Sequence, residues 1–297
     1  MTILLPMLIK WPPTFSRAPV TLARVAEYRE KEPRRIDFLR THSGLPKRAS
    51  VADRPEIVGS IGFPFAETIR PLFEAGTGIS LRQSPQYGNF WYSIRDEDEF
   101  LAIQGWVKAQ GSRVFLRNTL DLSVALDYNL TDNRSGIYTE LGALEHRAKE
   151  SGDPKAVDYL SNACLEAIGS MPFYRDAGYV TSVPDMSKKT FDLPTQIASN
   201  VGRALGKPDL THRFGCDVTK SMPLKEAQID HKWNLLEKTG IRLNAKLPKD
   251  SDVILIDDKY QSGTTMQFVA MKLQEAGARY IFGISLVKTL RDTDNAS

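Results

Sequence analysis

Two adjacent carboxylates, Asp257 and Asp258, follow a run of four apolar residues at 253–256. Three residues separate them from the small polar run 262–265, Ser-Gly-Thr-Thr, where helical spacing begins. A turn of small residues at a helix start offers backbone N–H groups and the positive end of the helix dipole to a phosphate. Vicinal hydroxyls can donate to paired carboxylates. The pattern therefore suits a ribose 5-phosphate, with its diol at one end and its phosphate at the other.

The elements that must position these residues are a strand and a helix. The apolar run 253–256 predicts a buried strand, and the spacing of 265–276, which stops before Gly277, predicts a helix. Ligands of open α/β sheets bind beyond the carboxyl ends of the strands. The acids and the small turn are therefore expected at one edge of a sheet.

Apolar strands and helices alternate through the second half of the chain. Short apolar runs predict two further strands, at 179–183 and 280–287. Helical spacing predicts three further helices, at 138–148, 154–167 and 193–205. Asp153-Pro154 supplies a cap and a first-turn proline, and Gly206 closes the last of these helices. The alternation predicts an α/β fold whose parallel sheet is covered by helices on both faces.

The first half of the chain has mixed signals and no motif of recognisable chemistry. Helical spacing at 65–73 and 100–107 and short strand patterns at 90–94 and 114–116 predict a small α+β unit. We therefore predict two regions. Residues 1–135 form an N-terminal α+β region that serves as a hood, an acceptor pocket or a partner surface, and residues 136–297 form the α/β domain.

The run 253–265, VILIDDKYQSGTT, resembles the loop by which type I phosphoribosyltransferases bind 5-phosphoribosyl-1-pyrophosphate (PRPP). That family pattern is four hydrophobic residues, two acids, three variable residues and then Ser/Thr-Gly-x-Thr. The resemblance implies that Asp257 and Asp258 hold the ribose diol. It assigns the 5-phosphate to the turn residues Gln261, Ser262, Gly263, Thr264 and Thr265. The alternative is a plain turn beside helix-capping or metal-binding acids in another doubly wound fold.

Two basic segments upstream fit further parts that the resemblance implies. The segment 182–189 follows a predicted strand, as the family's pyrophosphate loop does, and the helix after it resembles that of ComF-like members. The segment 219–234 fits the mobile flap that closes over the reaction centre and shields it from water. Both segments supply lysines for the pyrophosphate, namely Lys188, Lys189, Lys220, Lys225 and Lys232.

The chain departs from the family pattern at several positions. Gln261 stands where many nucleobase-salvage members carry an acid that acts as a base, so a role in purine salvage is not expected. ComF relatives carry an N-terminal zinc module of cysteines, whereas this chain has two cysteines, Cys164 and Cys216, and no CxxC pair. Magnesium is expected to bind through PRPP, because it prefers phosphate oxygens and retains water ligands. No protein metal ligand and no catalytic base are predicted, and Glu145 shows no obvious partner in the sequence.

The composition is that of a soluble globular protein, with 41% hydrophobic and 25% charged residues. The scarcity of cysteines fits a reducing cytoplasm, and the opening apolar run is too short to span a bilayer. The net charge is only +3, although the first fifty residues hold ten Lys and Arg against four acids. That local excess suits a solvated surface or an arm that meets an acidic partner.

The sequence therefore predicts a cytoplasmic phosphoribosyltransferase of nucleotide metabolism that uses Mg-PRPP and a small-molecule acceptor. An unidentified nucleophile would displace pyrophosphate from C1 of the ribose. One alternative is a non-catalytic protein that senses PRPP or a nucleotide in the same pocket. Another is a ComF-like DNA-handling protein, for which the basic arm with Arg34 and Arg35 is the support. Members of this fold often pair, so a homodimer is also an open alternative.

Overall fold

The computed structural model describes residues 15, 18–40, 44–49, 56–86, 88–185, 191–217 and 229–291. In these ranges the helices are α1 (Leu22–Arg29), α2 (Arg70–Thr77), α3 (Glu97–Ala109), α4 (Glu140–Ser151), α5 (Pro154–Ser170), α6 (Leu193–Leu205), α7 (Ile229–Lys238) and α8 (Thr264–Glu275). The strands are β1 (Arg35–Asp37), β2 (Lys47–Arg48), β3 (Gly59–Phe63), β4 (Arg82–Gln83), β5 (Phe90–Ile94), β6 (Val114–Leu116), β7 (Leu122–Tyr128), β8 (Tyr179–Ser182), β9 (Phe214–Gly215), β10 (Arg242–Leu243), β11 (Ser251–Tyr260) and β12 (Ala278–Lys288).

The central sheet has six strands in the order β1-β6-β7-β12-β11-β8. Four of them, β7, β12, β11 and β8, are mutually parallel. At one edge β6 pairs antiparallel with β7, and β1 pairs antiparallel with β6 and so runs in the same direction as the four. The predicted α/β class, a parallel sheet with flanking helices, is confirmed. The antiparallel edge differs from the expectation, because the sequence pattern places β6 in the N-terminal unit.

The side chains of β11 alternate between the two faces of the sheet, and apolar residues on each face pack against helices. Ile254 and Ile256 enter the hydrophobic cluster that contains residues of α5 and α6, whereas Val253 and Leu255 enter the cluster that contains residues of α7 and α8. All four side chains are fully buried. Because side chains of a strand alternate between faces, a slip of one residue would exchange the two sets, so this packing fixes the register of β11. The register in turn fixes where Asp257 and Asp258 emerge.

The helices begin and end close to the predicted residues because their capping signals are local. Asp153 accepts a hydrogen bond from the backbone N–H of Lys155 at 2.9 Å, and Pro154 occupies the first turn of α5. Gly206 closes α6 in the left-handed conformation, with φ of 63°. The predicted helix at 65–73 is the exception. It begins only at Arg70, and Phe65 lies in the irregular connection after β3 with its side chain fully buried.

The N-terminal region adds a four-stranded antiparallel sheet in the order β2-β3-β5-β4, together with α2 and α3. Aromatic rings join it to the central sheet, since Phe38 contacts both Phe63 and Phe115 edge to face. The central sheet also crosses the predicted boundary at residue 135, because β1, β6 and β7 all precede it. The division into two domains there stays a prediction. None of the helices in the described part of the chain is long and apolar enough to cross a bilayer.

Candidate functional site

The turn between β11 and α8 is built around Gly263. Its φ is 71°, in the left-handed region, and a Cβ at this position would overlap the ring of Tyr260. Tyr260 is itself buried, and its hydroxyl accepts a hydrogen bond from Asn118 Nδ2 at 3.1 Å. Only glycine therefore fits both the backbone conformation and the space, as the predicted phosphate turn requires.

Helical hydrogen bonding in α8 starts with the bond from Gln267 N–H to the Gly263 carbonyl at 2.9 Å. The N–H groups of the preceding residues lie outside the intrahelical ladder, so the first turn of α8 offers donors. The Gln267 side chain donates to Gly263 O at 3.2 Å and accepts from the Thr119 hydroxyl at 2.9 Å. The start of α8 is thereby tied to the connection between β6 and β7.

The five predicted turn residues differ in exposure. Gln261, Ser262 and Thr265 are partly exposed, whereas Gly263 and Thr264 are buried. The hydroxyls of Ser262 and Thr264 lie 3.0 Å apart and hydrogen-bond to each other. Gln261, Ser262 and Thr265 are therefore the side chains best placed to contact a ligand, while Thr264 supports the turn from below.

A small cavity lies beside the turn, and basic residues of the N-terminal region line it. Gln261 and Ser262 share its wall with Arg34 and Arg117, among other residues. Its volume of about 20 Å³ has room for one or two water molecules. Arg117 is paired with Glu67 at 3.3 Å, which fixes its guanidinium near the turn.

The twin acids lie in the carboxyl-terminal part of β11, and Asp258 joins an ion-pair cluster with residues of α4. The Asp258 carboxylate lies 2.7 Å from Lys149 Nζ, and Lys149 lies 3.3 Å from Glu145, one turn earlier on the same helix. Glu145 is fully buried and also pairs with Lys259 at 3.0 Å. Asp257 accepts a hydrogen bond from the backbone N–H of Asp258 at 3.0 Å.

Close packing fixes α4 at this edge of the sheet. Thr139 caps the helix by accepting a hydrogen bond from the Gly142 N–H at 3.0 Å. A Cβ at Gly142 would overlap the backbone oxygen of Asn129, which directly follows β7. The missing side chain lets α4 approach the end of β7, and Glu145 and Lys149 project from its next turns. The helix thus brings a carboxylate and an ammonium group to the acids of β11.

Burial raises the pKa of Asp257 well above its usual range, and the neighbouring charge of Asp258 adds to the rise, although Lys149 opposes it. Asp257 keeps a little solvent exposure, but protein atoms surround it densely enough for desolvation to dominate. Burial alone would lower the pKa of Lys149, but the charges of Asp258 and Glu145 outweigh it and raise that pKa. Lys149 is therefore a cation at neutral pH.

A third acid stands close to the pair. Asp192 caps α6 and accepts a hydrogen bond from the backbone N–H of Thr195 at 3.3 Å. Burial raises the pKa of Asp192, and the charges of Asp185 and Asp258 add to the effect. The carboxyl edge of β11 is thus rich in carboxyl groups, and Lys149 and Lys259 offset part of their charge.

The predicted pyrophosphate and flap lysines lie mostly beyond the described ranges. Lys188, Lys189, Lys220 and Lys225 are outside the residues that the structure describes. Lys232 lies on α7 and is only 6% exposed, beside Trp233, whose ring packs edge to face on Phe268 of α8. The described end of the predicted flap is therefore a packed helix. The pyrophosphate role of these lysines stays a prediction.

Sequence reasoning missed Glu145 and Lys149. Their spacing of four residues on a helix is a signal for an ion pair between them. That spacing does not predict the ion pair between Lys149 and Asp258, because this pair depends on where α4 lies against the sheet. Across the described ranges, no group of three or more His, Cys, Asp or Glu side chains is arranged to hold a metal ion.

Fold and site together define an α/β protein whose parallel sheet presents paired acids and a glycine turn at its carboxyl edge. Comparison with family models and with curated proteins finds no match. Among solved structures, UMP synthase of Leishmania donovani is 15% identical over 65% of this chain, with a TM-score of 0.29. The match covers 37% of that protein's chain. A TM-score of this size does not establish a shared fold.

Proposed function

We propose that this protein binds Mg-PRPP at the carboxyl edge of β11 and transfers its phosphoribosyl group to an acceptor. One observation carries the proposal: a single strand end presents both the paired acids and the glycine turn. Asp257 and Asp258 are partly exposed there, and so are Gln261 and Ser262. A phosphorylated pentose carries its diol on the ring and its 5-phosphate on the exocyclic C5, so one molecule offers hydroxyls to the acids and a phosphate to the turn.

The phosphate end is supported by donors of three kinds. The first turn of α8 offers backbone N–H groups and the positive end of the helix dipole. Ser262 and Thr265 add partly exposed hydroxyls. Arg34 and Arg117 contribute positive charge beside Gln261 and Ser262. Guanidinium groups suit phosphate oxygens because their planar donors match two oxygens at once.

The ribose end is supported by Asp257 and Asp258. Asp258 is ion-paired with Lys149 through one carboxylate oxygen, so the other oxygen can accept a sugar hydroxyl. Asp257 is the neighbour of Asp258 in β11 and is partly exposed, so its carboxyl group can hydrogen-bond the second hydroxyl. The pair then offers two carboxyl groups to the diol.

Magnesium, when bound with PRPP, would neutralise part of the diphosphate charge and assist its departure. The existing ion pair between Asp258 and Lys149 favours phosphate oxygens over the twin acids as metal ligands. In the proposed reaction the bond between C1 and the diphosphate oxygen breaks, and a bond from C1 to the acceptor nucleophile forms. Gln261 cannot act as a base, so the acceptor should be a nucleophile that needs little activation.

Isothermal titration with Mg-PRPP, followed by a pyrophosphate-release assay over a panel of bases and amines, tests the proposal. We expect the double variant Asp257→Asn with Asp258→Asn to lose PRPP binding while remaining folded, because two neutral amides replace the acidic diol site. Asp158→Asn, an exposed aspartate of α5, serves as the matched control. Retained affinity in the double variant would remove the site assignment. Binding without turnover over the whole panel would identify a sensor.

The residues behind the DNA alternative are engaged with the body of the protein. Arg35 donates to the backbone oxygen of Leu290 at 2.9 Å and lies over the ring of Tyr128. Arg34 pairs with Glu32 at 3.1 Å and lines the cavity beside the phosphate turn. These positions favour a structural or phosphate-binding role for the two arginines, so we do not propose DNA handling as a second function.

A further inference from the structure

The ion-pair cluster beside the twin acids is built at a cost to stability. Glu145 is fully buried, and both of its carboxylate oxygens are held by lysines without a well-directed hydrogen bond. Removing a carboxylate from water costs several kcal/mol, and attraction to its partners offsets this only when the geometry is good. A well-packed apolar residue at this position would often stabilise a fold at least as well. The cluster therefore calls for a reason other than stability.

The cluster places two lysine ammonium groups next to Asp258. Lys149 spans from Glu145 to Asp258, at 3.3 Å and 2.7 Å. Its side chain keeps 32% of its exposure, so it reaches the solvent side of the acids. Glu145 also holds Lys259, which follows Asp258 directly in β11. One buried carboxylate thus anchors two lysines that flank Asp258.

We infer that Lys149 is the positioning residue of the acid pair: anchored by Glu145, it orients the Asp258 carboxylate toward a sugar diol. The inference rests on the proposed function and deepens it. The acids that face Lys149 are Asp258 and Asp257 of β11 and Glu145 of its own helix. Lys259 shares Glu145 with Lys149, and Asp192 at the start of α6 adds negative charge near Asp257 and Asp258. Lys149 does not react with substrate. It fixes the rotamer of Asp258 and offsets the repulsion among these acids.

Four variants of the full chain test the inference. Lys149→Met removes the charge and keeps the length of the side chain, and Lys149→Arg keeps the charge. Lys155→Met, at an exposed position of α5, is the matched control. Circular dichroism and thermal unfolding establish that each variant is folded. Glu145→Gln supplies a second route to the same cluster, because it frees Lys149 from its anchor without removing the ammonium group.

Affinity for Mg-PRPP is the first measurement. We expect Lys149→Met to weaken binding about tenfold or more, the size of a lost hydrogen bond between charged groups. Lys149→Arg should stay within about threefold of the wild type, and Glu145→Gln should fall between the two variants. Because the interaction serves ground-state binding, KM should rise more than kcat falls. Wild-type affinity in Lys149→Met would overturn the inference. An Arg variant as weak as the Met variant would also overturn it, since packing rather than charge would then explain the loss.

A measurement without ligand keeps this inference separate from the proposed function. Lys149 lowers the pKa of Asp257, so carboxyl-detected NMR titration should show that pKa rising further in Lys149→Met and unchanged in Lys155→Met. If wild-type protein fails to bind PRPP, the proposed function falls, while the titration still decides whether Lys149 controls the acid pair. If Asp257 titrates identically in both variants, the inference falls whatever PRPP does.

Discussion

At the scale of single residues, the site depends on acids that the fold holds under electrostatic strain. Asp257 is partly exposed but densely surrounded by protein atoms, and this desolvation and the charge of Asp258 both raise its pKa. Lys149 relieves part of this strain by pairing with Asp258 at 2.7 Å. Carboxyl groups arranged in this way are common where ligands bind, because a site that presents charge to a ligand must also hold that charge when the ligand is absent.

The raised pKa predicts how stability depends on pH. The folded state binds the Asp257 proton more tightly than the unfolded state, so this group stabilises the fold at low pH. Its contribution is lost as pH rises from the unfolded value near pH 4 through the folded pKa. We therefore expect Asp257→Asn to be more stable than the wild type at neutral pH, with the difference vanishing toward about pH 4. Urea unfolding over this range measures it, and Asp158→Asn is the control. A difference that is constant with pH would contradict the assignment.

At the scale of elements, the junction of β11 and α8 is where strand, turn and helix have to agree. Asp257 and Asp258 lie in the last four residues of β11, the strand ends at the buried Tyr260, and Gly263 adopts a φ of 71° against the ring of Tyr260. Gln267 then ties the first turn of α8 to Thr119. The geometry of the proposed phosphate turn depends on this junction more than on any single donor in it.

Gly263→Ala should therefore destabilise the protein more than the same substitution at a left-handed glycine that has open space around it. Left-handed backbone costs a residue with a side chain about 1–2 kcal/mol, and here the new methyl group also meets the ring of Tyr260. Gly206→Ala is the matched control, because Gly206 has a φ of 63° and an added Cβ there would have no atom within 4 Å. We expect about 1–2 kcal/mol of destabilisation in Gly206→Ala, and a larger loss together with loss of PRPP binding in Gly263→Ala. Equal losses of stability with unchanged binding would contradict the role of the turn.

At the scale of the whole molecule, the central sheet joins the two halves of the sequence. The parallel neighbour of β12 on one side is β11, and on the other it is β7, which precedes residue 135. The backbone N–H of Ile281 in β12 also donates to Asp121, just before β7, at 2.9 Å. The N-terminal half therefore contributes strands to the sheet that carries the candidate site.

The division at residue 135 can be tested by truncation. We expect the fragment 136–297 not to fold alone, because it would lack β7 and expose the buried edge of β12. The full chain should unfold in one calorimetric transition, because both halves of the sequence contribute strands to the central sheet. A fragment that folds and binds PRPP, or two separate transitions, would instead establish an independent C-terminal domain.

The sequence by itself determined the parts of this protein that depend on local spacing. The apolar run at 253–256, the glycine turn and the bounds of α5, α6 and α8 followed from period, caps and small residues close together in the chain. The strand itself extends to Tyr260, so Asp257 and Asp258 lie within it and not beyond its end as the sequence pattern predicted. Phe65 shows the limit of such patterns, because it has helical spacing with Ile69 yet is buried in the irregular connection between β3 and α2.

Only the tertiary structure decided which distant residues complete the site. Lys149 meets Asp258 because α4 packs against the end of β7, and Arg117 lies near Gln261 because the β6–β7 connection crosses the start of α8. Both contacts depend on the strand order β7-β12-β11. Strand order results from long-range packing and leaves no periodic signal in the residues that it brings together.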